Sequence, residues 1–324
     1  MIFQRLTSWT MTDKKLFCFG YGYTSDFLGR EVEGLPGWKV SGTTRDMTKR
    51  ASLRARGVDA HIFGIDKPLG DPLQMMAEAT HVLISTPPDQ EGDMVFRYHA
   101  EDLLALPKLE WVGYLSTTGV YGDRDGAWVD EKSEIRPSTI RGTRRAMAEK
   151  QWLSLFKSAG LPIHIFRLAG IYGPGRSAID SVRAGIARRI NKPGHAFSRV
   201  YVDDIVQTIL ASFAKPRSGA IYNVADDEAA SSHEVIAYAA RLLGREPPPM
   251  IRFEDANLAP ITLSFYSDNK RIKNDLIKSE LGVSLKCPNY RVGLEACLEA
   301  EKFYTVRGER PPWASEVAGS SSII

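Results

Sequence analysis

The sequence contains little cysteine and no arrangement of it that suggests a metal site. Among its 324 residues there are three cysteines, Cys18, Cys287 and Cys297, which lie far apart. Structural metal sites usually need Cys or His ligands at short, regular spacing, so we expect no bound metal. A sparse, odd number of cysteines is typical of a reducing compartment, which predicts a cytoplasmic protein.

A long apolar run is also missing. No segment approaches the roughly 20 apolar residues that a membrane-spanning helix needs, and residues 1–13 lack the apolar segment of a secretory signal. We therefore expect no membrane partner. Residues 1–13 are predicted to be a disordered extension, in which Met1 and Met11 are both candidate starts, and residues 311–324 a disordered tail.

An excess of charge of one sign is absent as well. The chain has 42 Lys and Arg residues against 39 Asp and Glu residues, a net charge of +3, and both signs are interspersed. Nucleic-acid binding usually requires a clustered basic face, so we expect no nucleic-acid partner. The apolar content of 43% and the charged content of 25% are those of an ordinary globular protein with a large core.

What the sequence does contain is an alternation of strand-like and helix-like segments. Short apolar segments that predict strands lie at 15–20, 38–42, 60–65, 81–85, 111–116 and 163–168. Helical patterns lie at 24–33, 47–56, 91–106 and 139–159. Apolar strands separated by helices are typical of a parallel sheet that is covered on both faces. The predicted fold class is therefore α/β, a doubly wound parallel sheet of the Rossmann type.

The alternation loosens after residue 175, where we predict a smaller C-terminal lobe. The patterns there predict helices at 177–190, 231–243, 269–281 and 290–304, a strand-to-helix segment at 200–213 and a strand at 220–224. The predicted domains are a dinucleotide-binding domain at 14–175, to whose sheet 200–225 returns, and a substrate lobe at 176–199 and 226–310.

The first predicted strand ends in a glycine-containing turn, Gly-Tyr-Gly-Tyr-Thr-Ser, which opens a helix. In a dinucleotide fold, Gly20 would take the tight turn and Gly22 would let the backbone approach a pyrophosphate. The N–H groups of Tyr23 and Thr24 would then face this anion from the helix N-terminus. The dinucleotide motif has a third glycine where this chain has Ser25, so we expect the helix to sit slightly farther from the strand.

Residues after the other strands specify the cofactor further, because this fold binds its ligand beyond the carboxyl ends of the strands. Thr43, Thr44 and Arg45 follow the second strand. NAD-specific sites tend to place an acidic residue there, whereas an arginine suits the 2′-phosphate of NADP. Arg45 therefore favours NADP, with NAD as the alternative, and a solvent-exposed arginine would give the same pattern. Further predicted cofactor contacts are Asp66, for which a helix cap is an equal alternative, Ser85, Thr86 and Pro87.

Four downstream segments carry a resemblance to a known family. They are 115–123, which contains Val-Tyr-Gly-Asp, 166–176, which contains Ile-Tyr-Gly-Pro-Gly-Arg, 199–204 and 220–227. Together with the glycine turn they resemble the extended short-chain dehydrogenase/reductase family, the group that contains sugar-nucleotide epimerases and dehydratases. The resemblance implies an NAD(P)-dependent oxidoreductase or epimerase that acts on a nucleotide-sugar or a similar small polar substrate.

The resemblance also implies catalytic positions. Family members carry a Ser or Thr four residues before the tyrosine of Val-Tyr-Gly, here Thr117, and a Tyr-x-x-x-Lys pair on the next helix. In this chain Arg141 and Arg145 stand where that pair belongs. Arg145 can still hydrogen-bond the nicotinamide ribose, but Arg141 cannot act as a general base because the pKa of arginine exceeds about 12. Tyr121 is a substitute acid or else a packed aromatic residue.

The remaining predicted site residues would contact the substrate. They are Thr118, Arg167 and Arg176, the two arginines as ligands of an anionic group or, equally, as members of ion pairs. Arg141 and Arg145 could also be surface residues, Arg145 in an ion pair with Glu149, and Thr117 and Thr118 could be ordinary turn residues. The missing Tyr-x-x-x-Lys pair leaves open a second function, that of a non-catalytic protein that senses NAD(P) or acts as a scaffold. By analogy with the family, a homodimer would form through the helices at 91–106 and 139–159.

Overall fold

The computed structural model describes residues 13–307 and, beyond them, Pro311 and Trp313. The predictions for residues 1–12 and for most of 311–324, including the choice between Met1 and Met11, lie outside the described residues.

The strands of the described chain build one large parallel sheet and three small two-stranded sheets. The strands are β1 (Lys14–Phe19), β2 (Trp38–Thr44), β3 (Asp59–Ile62), β4 (His81–Ile84), β5 (Trp111–Thr117), β6 (Trp128–Val129), β7 (Ile163–Leu168), β8 (Gly170–Tyr172), β9 (Arg189–Asn191), β10 (Arg199–Tyr201), β11 (Ile221–Val224), β12 (Met250–Arg252) and β13 (Arg271–Ile272). The large sheet has the order β11-β7-β5-β4-β1-β2-β3, and its strands run parallel. The order reverses beside β1, as in a doubly wound fold, so the predicted fold class is confirmed.

Helices connect these strands. They are α1 (Tyr23–Glu33), α2 (Met47–Ala55), α3 (Pro72–Met75), α4 (Met94–Leu104), α5 (Ile140–Ala159), α6 (Ala178–Arg183), α7 (Val202–Ala214), α8 (Ser232–Leu242), α9 (Pro260–Tyr266), α10 (Asp275–Ser279) and α11 (Tyr290–Arg307). Among the described residues, no helix is both long and apolar enough to cross a membrane. The strands and helices predicted up to residue 168 exist, with ends shifted by a few residues. For example, α4 begins later than predicted because the Asp93 carboxylate caps it by accepting a hydrogen bond from the Phe96 N–H.

Two predicted helices of the C-terminal half are wrong in part. The helix predicted at 177–190 ends at Arg183, because Gly185 adopts a φ of +71° and the following residues form β9, which pairs with β12. The helix predicted at 269–281 is confined to α10. Its first part is β13, which pairs with β6, and the Asn269 carbonyl accepts hydrogen bonds from the N–H groups of Arg124 and Gly126. Pairing with distant segments overrode the local helical pattern in both places.

The chain divides into two compact units. The first comprises the described residues up to Leu115, with Ala148–His164 and Pro216–Ala220. The second comprises Ser116–Met147, Ile165–Lys215 and the described residues from Ile221 onward. The domain boundaries predicted from the sequence stay a prediction.

A row of tryptophan and histidine rings packs inside the first unit. The ring centroid of His81 lies 4.9 Å from Trp38 and 6.1 Å from Trp111, and Trp111 in turn lies 5.4 Å from His164. Both histidines are buried. Burial lowers the pKa of His81 to about 3 and that of His164 to about 4, because it disfavours the charged imidazolium. The folded protein therefore holds both rings neutral.

We expect this row to make the first unit sensitive to acid. Below the pKa of an unfolded histidine, about 6.5, the unfolded chain takes up protons that folded His81 does not, so the free energy of unfolding falls as the pH falls towards about 3. In the variant His81→Phe, the slope of the free energy of unfolding against pH should be smaller by up to about 1 kcal/mol per pH unit. Denaturant titrations between pH 4 and pH 7 measure it. Trp38→Phe, which loosens the same stack without removing a titratable group, should keep the slope, and equal slopes in wild type and His81→Phe would contradict the account.

Candidate functional site

The turn after β1 is held in one conformation by β2. Gly20 has a φ of +84°, a backbone conformation that favours glycine. Its N–H donates to the Thr43 hydroxyl at 2.9 Å, and the N–H of Tyr21 donates to the Thr43 carbonyl at 2.6 Å. A Cβ on Gly20 would lie 3.0 Å from the Thr86 methyl carbon and 3.2 Å from the Thr86 nitrogen. Glycine is therefore required at position 20 for both its conformation and its close packing.

Ser25 stabilises this turn from the helix side. The Ser25 side chain is fully buried, and its hydroxyl donates to the Gly20 carbonyl at 2.9 Å. The close approach that the third glycine of the motif normally permits occurs elsewhere on α1. The Tyr21 side chain lies against the helix, and its hydroxyl oxygen would be 2.0 Å from a Cβ on Gly29. The sequence offered one signal for this contact, since a glycine inside a helix costs about 1 kcal/mol and so has a packing reason.

The space beside Gly22, the N-cap of α1, is open. Helix α1 begins at Tyr23, with Gly22 as its N-cap, and the first N–H groups of a helix have no partner within it. The Gly22 N–H turns back to the Gly20 carbonyl at 2.8 Å. A Cβ on Gly22 would meet no atom within 4 Å. The predicted residues Gly20, Gly22, Tyr23 and Thr24 thus form a cradle whose open side lies at Gly22.

The three residues predicted after β2 divide into two structural residues and one exposed cation. Thr43 braces the glycine turn, and the Thr44 hydroxyl accepts a hydrogen bond from the Asp46 N–H at 3.2 Å. Asp46, in turn, caps α2 by accepting from the Lys49 N–H at 2.7 Å. The Arg45 side chain is exposed, and it forms no ion pair with any residue that the structure describes. The carboxylate nearest to Arg45 in sequence, that of Asp46, is thus used as a helix cap, whereas the Arg45 guanidinium is available to a ligand.

The remaining residues predicted to contact the cofactor follow β3 and β4. Asp66 is exposed and lies in a tight turn closed by two backbone hydrogen bonds between Gly64 and Lys67. Ser85 is half-buried, Thr86 packs against Gly20 as described, and Pro87 is exposed. Thr86 therefore belongs to the wall of the glycine turn, and Asp66 stands four residues beyond the end of its strand rather than at it.

In the second unit, the turn that follows β5 packs against the start of α5. The Thr117 hydroxyl oxygen accepts a hydrogen bond from the Gly119 N–H at 3.1 Å, and this turn also contains the half-buried Thr118. A Cβ on Gly142 would lie 2.7 Å from the Gly119 carbonyl oxygen. Glycine at 142 therefore permits the first turn of α5, which carries Arg141, to lie directly against the segment that carries Thr117.

Tyr121 lies in a closed polar cluster of the second unit. Its hydroxyl donates to Asn223 Oδ1 at 2.7 Å and accepts from Arg167 Nη1 at 2.9 Å. The Asn223 N–H donates to the Glu131 carboxylate at 2.8 Å. Tyr121 is fully buried and Arg167 nearly so, and burial raises the pKa of Tyr121 although Arg167 opposes the shift. The cluster thus holds two predicted site residues in structural hydrogen bonds.

The arginines of α5 have a different setting. Arg141 is exposed, and its guanidinium carbon lies 4.5 Å from the ring centroid of Phe265. Partial burial and then the charge of Arg145 lower the pKa of Arg141. Arg145 is half-buried. These two cations are therefore close enough to repel each other, as residues four apart on one helix face are.

Arg176 belongs to a small cavity elsewhere in the second unit. The cavity measures about 30 Å³, and its walls include Arg176, Arg199, Tyr172, Ser177 and Tyr290. Arg199 is buried and donates through Nη1 to the carbonyls of Phe197 and Ala230. Among the described residues, no group of three or more His, Cys, Asp or Glu side chains could hold a metal ion.

The chain is similar in sequence to known proteins. The sequence model of the NAD dependent epimerase/dehydratase family matches residues 107–225. The Escherichia coli K12 protein YeeZ is 28% identical over 274 residues, which is 81% of this chain and 94% of YeeZ.

Solved structures are also similar to this chain over most of its length. A functionally unknown conserved protein from Silicibacter pomeroyi is 47% identical, with a TM-score of 0.79 over 89% of this chain and 99% of that one. UDP-glucuronic acid 4-epimerase from Bacillus cereus, in complex with UDP-glucuronic acid and NAD, is 17% identical, with a TM-score of 0.72 over 90% of this chain and 99% of that one. At this low identity, the likeness to the epimerase shows the fold alone.

The closed cluster predicts that Tyr121 stabilises the fold. Tyr121→Phe removes the donor to Asn223 and the acceptor of Arg167, which leaves buried polar groups unsatisfied. We expect the free energy of unfolding to fall by about 1–3 kcal/mol, measured by denaturant titration. The matched control is Tyr238→Phe, because the Tyr238 hydroxyl donates to the carboxylate of Glu295, an exposed residue. This variant should change the free energy of unfolding by less than about 0.5 kcal/mol. Equal effects of the two variants would contradict the structural role.

Proposed function

We propose that this chain, whose residues 107–225 match the NAD dependent epimerase/dehydratase family, binds a nicotinamide dinucleotide and acts as an oxidoreductase or epimerase of the extended short-chain dehydrogenase/reductase type. The proposed substrate is a nucleotide-sugar or a similar small polar molecule. The observation that carries the proposal is the turn at Gly20 and Gly22, which is fixed by Thr43 and opens onto the N-terminus of α1.

The residues present fit a dinucleotide. The open space at Gly22 leaves room for a pyrophosphate to approach the backbone, and the N–H groups of Tyr23 and Thr24 point from a helix N-terminus, where anions are stabilised. Arg45 would bind a 2′-phosphate, which favours NADP over NAD. Asp46 is engaged as the α2 cap, so it is a poor candidate for holding a ribose 2′-hydroxyl.

The chain's own residues have distinct proposed roles in the reaction. A bound nicotinamide supplies hydride transfer. The Thr117 oxygen already accepts the Gly119 N–H, so its own hydrogen remains to be donated to a substrate oxygen. Arg145 would hydrogen-bond the ribose of the cofactor. We assign Tyr121 a positioning role rather than an acid role, because its hydroxyl is buried and already has two partners.

A second candidate function is a non-catalytic NAD(P) sensor or scaffold. It is favoured by Arg141, which stands where the family has its tyrosine and cannot accept a proton near neutral pH. Consumption of NADPH with carbonyl or sugar-nucleotide substrates would support the enzyme, whereas cofactor binding without turnover would support the sensor. A cytoplasmic homodimer formed through α4 and α5 remains part of the proposal.

The cradle predicts that a methyl group at position 22 removes cofactor binding and leaves the fold intact. Gly22 has a φ of −92°, which alanine adopts, and its Cβ would meet no protein atom. In Gly22→Ala we expect the dissociation constant for NADPH to rise at least about tenfold, because the methyl group occupies the space of the phosphates. Nucleotide fluorescence titration measures it, and denaturant titration checks the fold. Gly70→Ala, at an exposed and open position, is the control, and tight binding by Gly22→Ala would refute the assignment.

The position of Arg45 predicts a preference for the phosphorylated cofactor. Wild type should bind NADPH more tightly than NADH, and Arg45→Ala should weaken NADPH binding about tenfold while NADH binding stays constant, since a charge-assisted pair is lost. Competitive titrations with the two nucleotides measure the ratio. The control is Lys39→Ala, which removes an exposed positive charge from the opposite half of β2. Equal affinity of wild type for both nucleotides would exclude this role.

A further inference from the structure

The beginning of α5 concentrates positive charge where a helix tolerates it least. Arg141, Arg144 and Arg145 lie within its first two turns, and its first turn contains no acidic residue. The N-terminus of a helix carries a partial positive charge, and like charges four residues apart destabilise a helix. An anion bound at this end of α5 would therefore offset the charge of Arg141.

Arg141 is the arginine best placed to receive such an anion. One face of its guanidinium lies over the Phe265 ring, with the guanidinium carbon 4.5 Å from the ring centroid. Stacking on an aromatic ring leaves the N–H edges of the guanidinium free to bind a planar acceptor. The side chain is exposed, and no carboxylate among the described residues forms an ion pair with it. The aromatic contact thus orients the cation without neutralising it.

The place of Arg141 in the fold connects it with the proposed reaction site. It precedes Gly142, where a Cβ would lie 2.7 Å from the Gly119 carbonyl oxygen of the turn that begins at Thr117. The other arginine predicted near this turn, Arg167, is buried in the Tyr121 cluster. Among the arginines predicted as site residues in the second unit, Arg141 is the one whose side chain is exposed.

We propose that Arg141, supported by Arg145, binds an anionic group of the substrate, a carboxylate or a phosphoryl group, beside the turn that carries Thr117. The inference rests on the proposed function, because it gives the substrate of that site an acidic group. A guanidinium binds either group through two parallel N–H bonds. The replacement of the family's tyrosine would then exchange a proton-transfer group for a recognition group.

The test uses three small probes on the full chain, with and without saturating NADP⁺. Inorganic phosphate represents the phosphoryl group, glucuronate the carboxylate, and glucose is the neutral analogue of glucuronate. Each is added at constant ionic strength, and the stabilisation of the folded protein against heat gives its dissociation constant by mass action. The variants are Arg141→Gln, Arg145→Gln and the control Lys150→Gln, an exposed cation half a turn around the same helix from Arg141.

We expect wild type to be stabilised by phosphate or by glucuronate and not by glucose. The dissociation constant should rise at least about fivefold in Arg141→Gln, as for loss of a charged hydrogen bond, and should stay constant in Lys150→Gln. If wild type binds neither anion, or if Arg141→Gln binds the anion as tightly as wild type does, the proposal is wrong, and a smaller loss in Arg145→Gln than in Arg141→Gln agrees with a supporting role for Arg145. NADP⁺ affinity is recorded on the same samples, so a failure of cofactor binding is separate from a failure of anion binding.

Discussion

The left-handed turn at Gly20 is the constraint on which the arrangement of the first unit depends. Its φ of +84° sends the chain from β1 into α1, and three hydrogen bonds fix it, two from the turn to Thr43 and one from Ser25. Close packing on Thr86 ties the same turn to the end of β4. The N-terminus of α1 therefore opens at a fixed point beyond the sheet, beside the reversal of strand order, where this fold class binds its ligands.

Much of the fold could be predicted from the sequence because its central strands are buried on both faces. The strand His81–Ile84, for example, is buried throughout. It therefore appears in the sequence as a largely apolar run, which can be recognised without knowing which strands lie beside it. The C-terminal half offers no such signal. There β9, β13 and the shortened α6 depend on pairing with segments more than fifty residues away, and local periodicity carries no information about those partners.

For the site, the sequence could predict which positions follow the strands. It could not predict which of those side chains would form hydrogen bonds that stabilise the fold. Thr43 stands where a cofactor ligand is expected, yet its hydroxyl and carbonyl brace the glycine turn. Tyr121 and Arg167 likewise bond each other in a buried cluster. Arg45 and Arg141 differ from these three residues because their side chains are exposed. Burial and hydrogen-bond partners, which only the folded chain reveals, separate the structural residues from those that remain available to a ligand.

The central claim is that the turn after β1 and the start of α1 hold the phosphates of a nicotinamide dinucleotide. Amide hydrogen exchange tests it most directly, since the N–H groups of Tyr23 and Thr24 are the proposed donors. Saturating NADPH should slow exchange in the peptide that covers residues 20–26. Slower exchange at 20–26 in wild type, with unchanged exchange in the peptide covering β9, would agree with the account. Unchanged exchange at 20–26 in protein saturated with NADPH would contradict it.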